Sequence, residues 1–260
     1  MRPLRIVTAI LLGWALGMPA SGQAAENPAT SPPMPSVETQ NQKQTPDIDM
    51  PVYKPPKRSS PKGRVGGGIR GGDGPSLYVL APDHVGFTKD EQPTLYWYLS
   101  KTTSLPLEFS LLDTRLGVEK KVQRLNSPAQ PGVQSISLKG LEIKLEPSVQ
   151  YMWYVTLVVG PKKTSKDVVV GGTIERITKV EELTLCQSKN GDAVFRYAEC
   201  GLWYNAIALL SAMIDKTPDD LTRRKQRACL LLQIGLWEPA RADYPELRDT
   251  DCKVSAHGLD

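Results

Sequence analysis

Histidine is scarce in this chain, with only His84 and His257, and cysteine is absent until Cys186. No two of the four cysteines stand in C-x-x-C spacing. A zinc centre needs four such ligands brought together, so no metal is expected. No Ser-Asp-Asn or Lys-Thr-Gly accompanies Ser59-Ser60-Pro61-Lys62, and Pro61 opposes a helix start there. That excludes the serine–lysine chemistry of penicillin-binding proteins. The glycine cluster Gly66-Gly67-Gly68-Ile69-Arg70-Gly71-Gly72 lacks a strand before it and a Lys-Ser/Thr and helix after it. Its N–H groups therefore lack the converging geometry of a phosphate loop. Cys252 and His257 lie near the C-terminus with no visible orienting partner, and His84 reads as a surface turn residue after Pro82-Asp83. Without nucleophile, base and orienter in mutual reach, the chain is expected to be non-enzymatic and to need no cofactor.

Long apolar runs are also missing after the first residues. Arg2 and Arg5, the 13-residue apolar stretch Ile6–Met18 and the small residues beyond it read as a secretory signal, with cleavage after Gly22 or Ala24. The stretch is shorter than the roughly 20 residues that cross a bilayer, though retention as an anchor is the alternative. No cysteine stands at the cleavage site and no Arg-Arg pair precedes it. The expected location is periplasmic or secreted, not as a lipoprotein. The formal charge of +4 includes Arg2 and Arg5. So near-neutral a total does not call for nucleic acid.

Residues 25–75 form a Pro/Gly-rich basic lead-in, expected to be largely disordered because it has little apolar surface to bury. It contains Lys54, Lys57, Arg58, Lys62, Arg64 and Arg70 without an acid between residues 53 and 70. Such a tract can track an anionic polymer or membrane surface, and Lys57, Arg58, Arg64 and Arg70 are its candidate contacts. The competing reading is a solubilising linker whose cations pair with acids on the neighbouring domain. Tyr53, Val65 and Ile69 could pin it onto a folded neighbour.

From residue 76 to about 180 the pattern has period two. Leu95, Trp97 and Leu99 alternate with Tyr96 and Tyr98, and Leu107, Phe109 and Leu111 with Glu108 and Ser110. Tyr151, Trp153, Val155 and Leu157 alternate with Met152, Tyr154 and Thr156. Further strands are expected at 77–80, 119–125, 134–139 and 168–174. About seven short strands in roughly 100 residues is the count of an immunoglobulin-like sandwich. Leu145-Glu146-Pro147-Ser148-Val149-Gln150-Tyr151 resembles the tyrosine corner of fibronectin type III domains, and Pro93-Thr94-Leu95-Tyr96-Trp97 resembles their second strand with its core tryptophan.

Residues 186–248 change to a helical period. Ala206, Leu209, Leu210, Met213 and Ile214 form one stripe, and Thr217-Pro218-Asp219-Asp220 reads as a helix start. Gly201-Leu202-Trp203-Tyr204-Asn205-Ala206 and Gly235-Leu236-Trp237-Glu238-Pro239-Ala240 match at four places, 34 positions apart. That is the period of a tetratricopeptide repeat. The pair is degenerate: Asn190 and Arg224 stand where a large aromatic is usual. About three repeats are needed for a continuous core, so two units should dock on the sandwich or be clamped by disulfides. An exported chain favours disulfides among Cys186, Cys200, Cys229 and Cys252. Three pairings are open. The pairing 186–200 with 229–252 is preferred because each closes a short loop around one helix hairpin. Residues 249–260 read as a tail.

The stretches Tyr53-Lys54-Pro55-Pro56, Arg64-Val65-Gly66-Gly67-Gly68-Ile69-Arg70-Gly71, Gln92-Pro93-Thr94-Leu95-Tyr96-Trp97-Tyr98, Leu107-Glu108-Phe109-Ser110-Leu111-Leu112-Asp113, Tyr151-Met152-Trp153-Tyr154 and Ala198-Glu199-Cys200-Gly201-Leu202-Trp203-Tyr204-Asn205-Ala206 together resemble the bacterial domain-of-unknown-function family 928. The resemblance covers about residues 50–245 and departs at Ile69, where the family more often has Thr. It implies an exported bacterial protein, in some genomes encoded beside membrane sensors, and supplies no catalytic residue.

The expected architecture is α+β: a fibronectin-like antiparallel sandwich followed by a short tetratricopeptide-like helical module. The expected role is a protein-interaction or scaffold protein with an exported or membrane partner. Tyr204, Trp203 and Trp237 are candidate aromatic contacts, with inter-helix packing as the competing role for the tryptophans. The alternative role is a module binding envelope glycan or another anionic polymer through the basic tract.

Overall fold

The computed structural model describes residues 49–56, 63–66, 74–125, 129–160, 167–178 and 191–252. The signal segment, Lys57, Arg58, Arg70, Cys186, His257 and most of the glycine cluster lie outside the described residues. Everything described belongs to one compact unit, Pro46–Asp260.

Nine strands build two sheets. They are β1 (Arg64–Val65), β2 (Leu77–Val79), β3 (Gly86–Thr88), β4 (Thr94–Leu99), β5 (Leu107–Asp113), β6 (Val118–Arg124), β7 (Gly132–Ser137), β8 (Gln150–Leu157) and β9 (Val168–Arg176). The larger sheet runs β1-β9-β8-β5-β6, and the smaller runs β2-β4-β7. All seven expected strands are present. β1 and β3 are additional and share one edge of β9. β1 pairs antiparallel at Gly171–Gly172, and β3 pairs parallel from Ile174 to Arg176.

Alternation sets the inner face. In β5 and β8, Leu107, Phe109, Leu111, Tyr151, Trp153, Val155 and Leu157 are buried while their neighbours, except the buried Asp113, are half-buried. The register then stacks like with like, Phe109 opposite Val155 and Leu111 opposite Trp153. β4 departs from the expected one-sided burial, because Tyr96 and Tyr98 are buried as well as Leu95, Trp97 and Leu99. The helices cover that second face; Tyr78, opposite Tyr98, donates its hydroxyl to Glu238 at 2.9 Å. The tyrosine corner is formed: the Glu146 N–H donates to the Tyr151 hydroxyl at 3.2 Å, and Leu145 is buried beside it.

The helices are α1 (Ala193–Glu199), α2 (Trp203–Lys216), α3 (Leu221–Gln233) and α4 (Trp237–Asp243), with a 3-10 turn at Asp249–Cys252. Asp192 caps α1 by accepting from the Val194 N–H at 2.8 Å. The start of α3 is corrected from Thr217 to Asp220, whose carboxylate accepts from the Arg223 N–H. Thr217 instead ends α2, because a carboxylate caps more strongly than the hydroxyl three positions earlier and also suits the positive helix end.

The duplicated hexapeptide makes two equivalent corners. Gly201 has φ +71° and Gly235 has φ +75°, a left-handed conformation that favours glycine. Each corner closes with the same pair of hydrogen bonds. Gly201 N–H donates to Ala198 O and Leu202 N–H to Tyr197 O; Gly235 N–H donates to Leu232 O and Leu236 N–H to Leu231 O. This is the Schellman geometry, and it satisfies carbonyls that the helix end would otherwise leave unpaired.

The two-unit module is supported in both of the ways its length demands. The N-terminus of α2 enters the open end of the sandwich, where Trp203 donates its indole N–H to Leu80 O at 2.8 Å. Cys229 of α3 is bonded to Cys252 across a separation of 23 residues. Cys252 is therefore held rather than loose. Cys200 is disulfide-bonded too, while Cys186 lies outside the described residues. Closing a loop of that length restricts the unfolded chain by about 3 kcal/mol. The Cys229→Ala/Cys252→Ala variant should lose close to that amount in urea titration under oxidising conditions; a loss under about 1 kcal/mol would mean that packing alone holds the helices.

Candidate functional site

Part of the lead-in belongs to the fold, pinned through Tyr53 as its sequence allowed, whereas Val65 is 40% exposed. Residues 49–56 run extended along the helical module. Pro51, Pro55 and Pro56 favour that conformation, since a proline pushes the residue before it out of the helical region. Gln226 and Gln233 stand two turns apart on one face of α3. Gln226 donates its side-chain amide to Asp49 O at 3.2 Å, and Gln233 to Pro51 O at 2.9 Å. The Gln233 side-chain oxygen accepts the Tyr53 N–H at 2.8 Å. Lys54 N–H then donates to Ala198 O at 3.1 Å. Each of these contacts grips backbone. Met50 and Tyr53 supply the apolar anchorage and are buried.

The strap ends on the first glycine corner. A Cβ at Gly201 would lie 3.0 Å from Lys54 O and 3.2 Å from Pro56 Cδ. At Gly235 the same atom would meet nothing within 4 Å among the described residues. A cleft of about 600 Å³ opens there, walled by Tyr53 and Pro55 of the strap, Arg64, the Asp83-His84 turn, and Gln233 to Gly235.

Tyr53, His84 and Asp83 form a hydrogen-bonded chain on one wall. The Tyr53 hydroxyl is 2.8 Å from His84 Nε2, and His84 Nδ1 is 3.1 Å from Asp83 Oδ1. The Tyr53 ring stacks on the imidazole and meets Trp203 edge-on at 4.9 Å. Burial, with minor contributions from Tyr204 and Asp83, pushes the Tyr53 phenol far above its ordinary value. It therefore stays protonated, and the imidazole bridges its hydroxyl and the Asp83 carboxylate through its two ring nitrogens. His84 is corrected from a surface residue, since its side chain is only 12% exposed. A phenol held protonated is a poor nucleophile.

Among the described residues, Arg64 is the one predicted basic contact, and it lies in this cleft. Its Nη1 donates to Ala81 O at 3.3 Å and to Ile234 O at 3.1 Å. A cation beside the C-terminal carbonyls of α3 is well placed against the helix dipole. Burial lowers the Arg64 pKa, opposed by the charge of Asp83. Arg64 thus fastens β1 to both the sandwich and the helices.

Tyr204 is corrected from a partner contact to an interior residue. It is 3% exposed, accepts from Trp153 Nε1 at 2.9 Å and donates to Thr173 O at 3.1 Å. Trp203 is fully buried, whereas Trp237 is 45% exposed with Arg241 5.7 Å above its ring. The sequence reading missed Gln226 and Gln233. Their spacing of seven on a helix was the available signal.

Among solved structures, the chain is similar to the C-terminal domain of wzt at 12% identity, over 50% of this chain and 82% of that one, with a TM-score of 0.26. It is also similar to a multi-domain immunophilin from Arabidopsis thaliana at 10% identity, over 72% and 98% of the respective chains, with a TM-score of 0.16. No curated protein matches. Residues 65–244, which take in β2–β9 and all four helices, match the family model described as Domain of Unknown Function (DUF928), and the chain belongs to that family.

Proposed function

We propose that this protein is a non-enzymatic, exported interaction protein whose helical module receives an extended polypeptide segment from an exported or membrane partner. The observation that carries the reading is the glutamine pair on α3. Gln226 and Gln233 grip the backbone of residues 49–53 without reading side chains, which is how a groove holds an extended segment. Helical hairpins of this kind offer such grooves. The hydrogen-bonded Asp83-His84-Tyr53 wall supports a binding role over a chemical one, because its phenol stays protonated.

The anionic-polymer reading gains less from the geometry. Arg64 engages two carbonyls, and Lys57, Arg58 and Arg70 lie outside the described residues.

A photo-reactive residue placed at Ile234, in the cleft, should cross-link one discrete protein in native envelopes. The same probe at Val169, 43% exposed on the outer face of β9, should not. Equal labelling from both positions would refute the assignment.

A further inference from the structure

We propose that the corner at Gly235 repeats the seat that the strap fills at Gly201, and that the cleft beside it binds an extended, proline-containing segment of a partner polypeptide. The inference rests on the interaction reading above and adds the chemistry of the segment.

Both corners present the same backbone. The glycine φ values agree within 4°, the Schellman hydrogen bonds are the same, and Leu202 and Leu236 follow with φ/ψ of −82°/65° and −95°/71°. At the first corner Lys54 donates its N–H to Ala198 O, the carbonyl that also accepts from Gly201. The Lys54 carbonyl and the Pro56 ring then lie over the bare glycine. Leu232 O holds the equivalent place at the second corner, accepting from Gly235, and the space above Gly235 is open among the described residues.

The occupant of the first seat defines the chemistry that fits the second. Its residue before the prolines donates one N–H, and the prolines follow with rings and no further donors. A Pro-Pro ending thus covers the corner without stranding an N–H. Pro55 adds an apolar side wall beside the buried Tyr53. The volume of about 600 Å³ falls within the ~300–1,000 Å³ typical of ligand sites.

The probe is a labelled, end-blocked peptide reproducing residues 49–56, Asp-Met-Pro-Val-Tyr-Lys-Pro-Pro, titrated by fluorescence anisotropy into the full chain. Saturable binding is expected, and changing both terminal prolines to alanine should abolish it. Gly235→Ala puts a methyl group where the peptide carbonyl must lie, by analogy with 3.0 Å at Gly201. Gly235→Asn does the same with a residue that tolerates the left-handed turn. Each variant should retain the parent circular dichroism and weaken the peptide about tenfold, the equivalent of losing one hydrogen bond.

Absence of binding, or equal binding by parent and Gly235→Asn, would overturn the proposal, the latter by pointing to exchange with the strap at the first corner. Self-association that Gly235→Asn abolishes would also overturn it, by making a second copy the occupant. A specific Ile234 cross-link persisting despite such failures would leave the interaction role standing without this ligand.

Discussion

Replacing Trp203 by alanine should lower the unfolding free energy by about 3–5 kcal/mol, while Trp237→Ala, at the matching repeat position, should cost less than about 1 kcal/mol. The two tryptophans follow the same Gly-Leu pair and begin helices in the same way. Their surroundings differ. Trp203 is fully buried, donates to Leu80 O and meets the Tyr53 ring. Its removal leaves a cavity, an unpaired buried carbonyl and a strap that has lost its aromatic seat. Trp237 lies nearly half in solvent under Arg241, so alanine removes little buried area and opens no cavity. Against a typical total of about 5–15 kcal/mol, the first loss is a large share of what holds the domain. Urea midpoints followed by far-ultraviolet circular dichroism would measure both, and limited proteolysis within 49–56 should accelerate only in Trp203→Ala. Similar midpoints for the two variants would mean that the sandwich does not depend on the first corner.

The contrast between these tryptophans shows what local sequence carries. The corners were legible because a left-handed glycine, a hydrophobic residue and a helix-starting aromatic are short-range requirements, repeated at a recognisable period. Which corner meets the sandwich depends on contacts over 100 residues away, such as Trp203 with Leu80, and no window contains them. Tyr204 was misplaced for the same reason: its hydroxyl finds Trp153 and Thr173, both on strands far back in the chain.

Six of the seven expected strands span six residues or more, long enough for a pattern to show, while β2 has three. β1 has two residues and β3 has three, too few to show a period. The strap was legible only at Tyr53, the residue that pins it. Its prolines lower the capacity to form helix or sheet, which composition reads as disorder, yet they also prepare an extended chain for a groove. The partners that hold it, Gln226 and Gln233, are polar residues on a helix read only for where it starts and ends. Half of the candidate cleft, its glycine corner and Arg64, was therefore visible in sequence; the Tyr53-His84-Asp83 wall came from elements that only the fold brings together.

Asp243→Ala should destabilise the helical module by about 3–5 kcal/mol, whereas the double change Arg227→Met/Asp243→Leu should return to within about 1 kcal/mol of the parent. The pair is enclosed, with side chains 4% and 2% exposed. Arg227 meets Asp243 through Nε at 2.6 Å and Nη2 at 2.7 Å, and its Nη1 reaches Ser211 Oγ at 2.8 Å. Arg224 adds a longer contact to the same carboxylate at 3.3 Å. One guanidinium thus joins α2, α3 and α4, and the carboxylate at the end of α4 is offset against an unfavourable helix dipole by two cations.

Removing Asp243 leaves a buried cation facing the Ser211 hydroxyl in place of a carboxylate, a state whose desolvation is uncompensated. Removing both charges restores an apolar contact of similar volume. The cost should therefore belong to the broken pair rather than to the loss of an attraction. Because α4 begins at the second glycine corner, Asp243→Ala should also weaken the Ile234 cross-link, and the double variant should restore it. If the double variant stayed as unstable as the single one, the ion pair would be supplying geometry that apolar side chains cannot, and the corner at Gly235 would depend on charge for its shape.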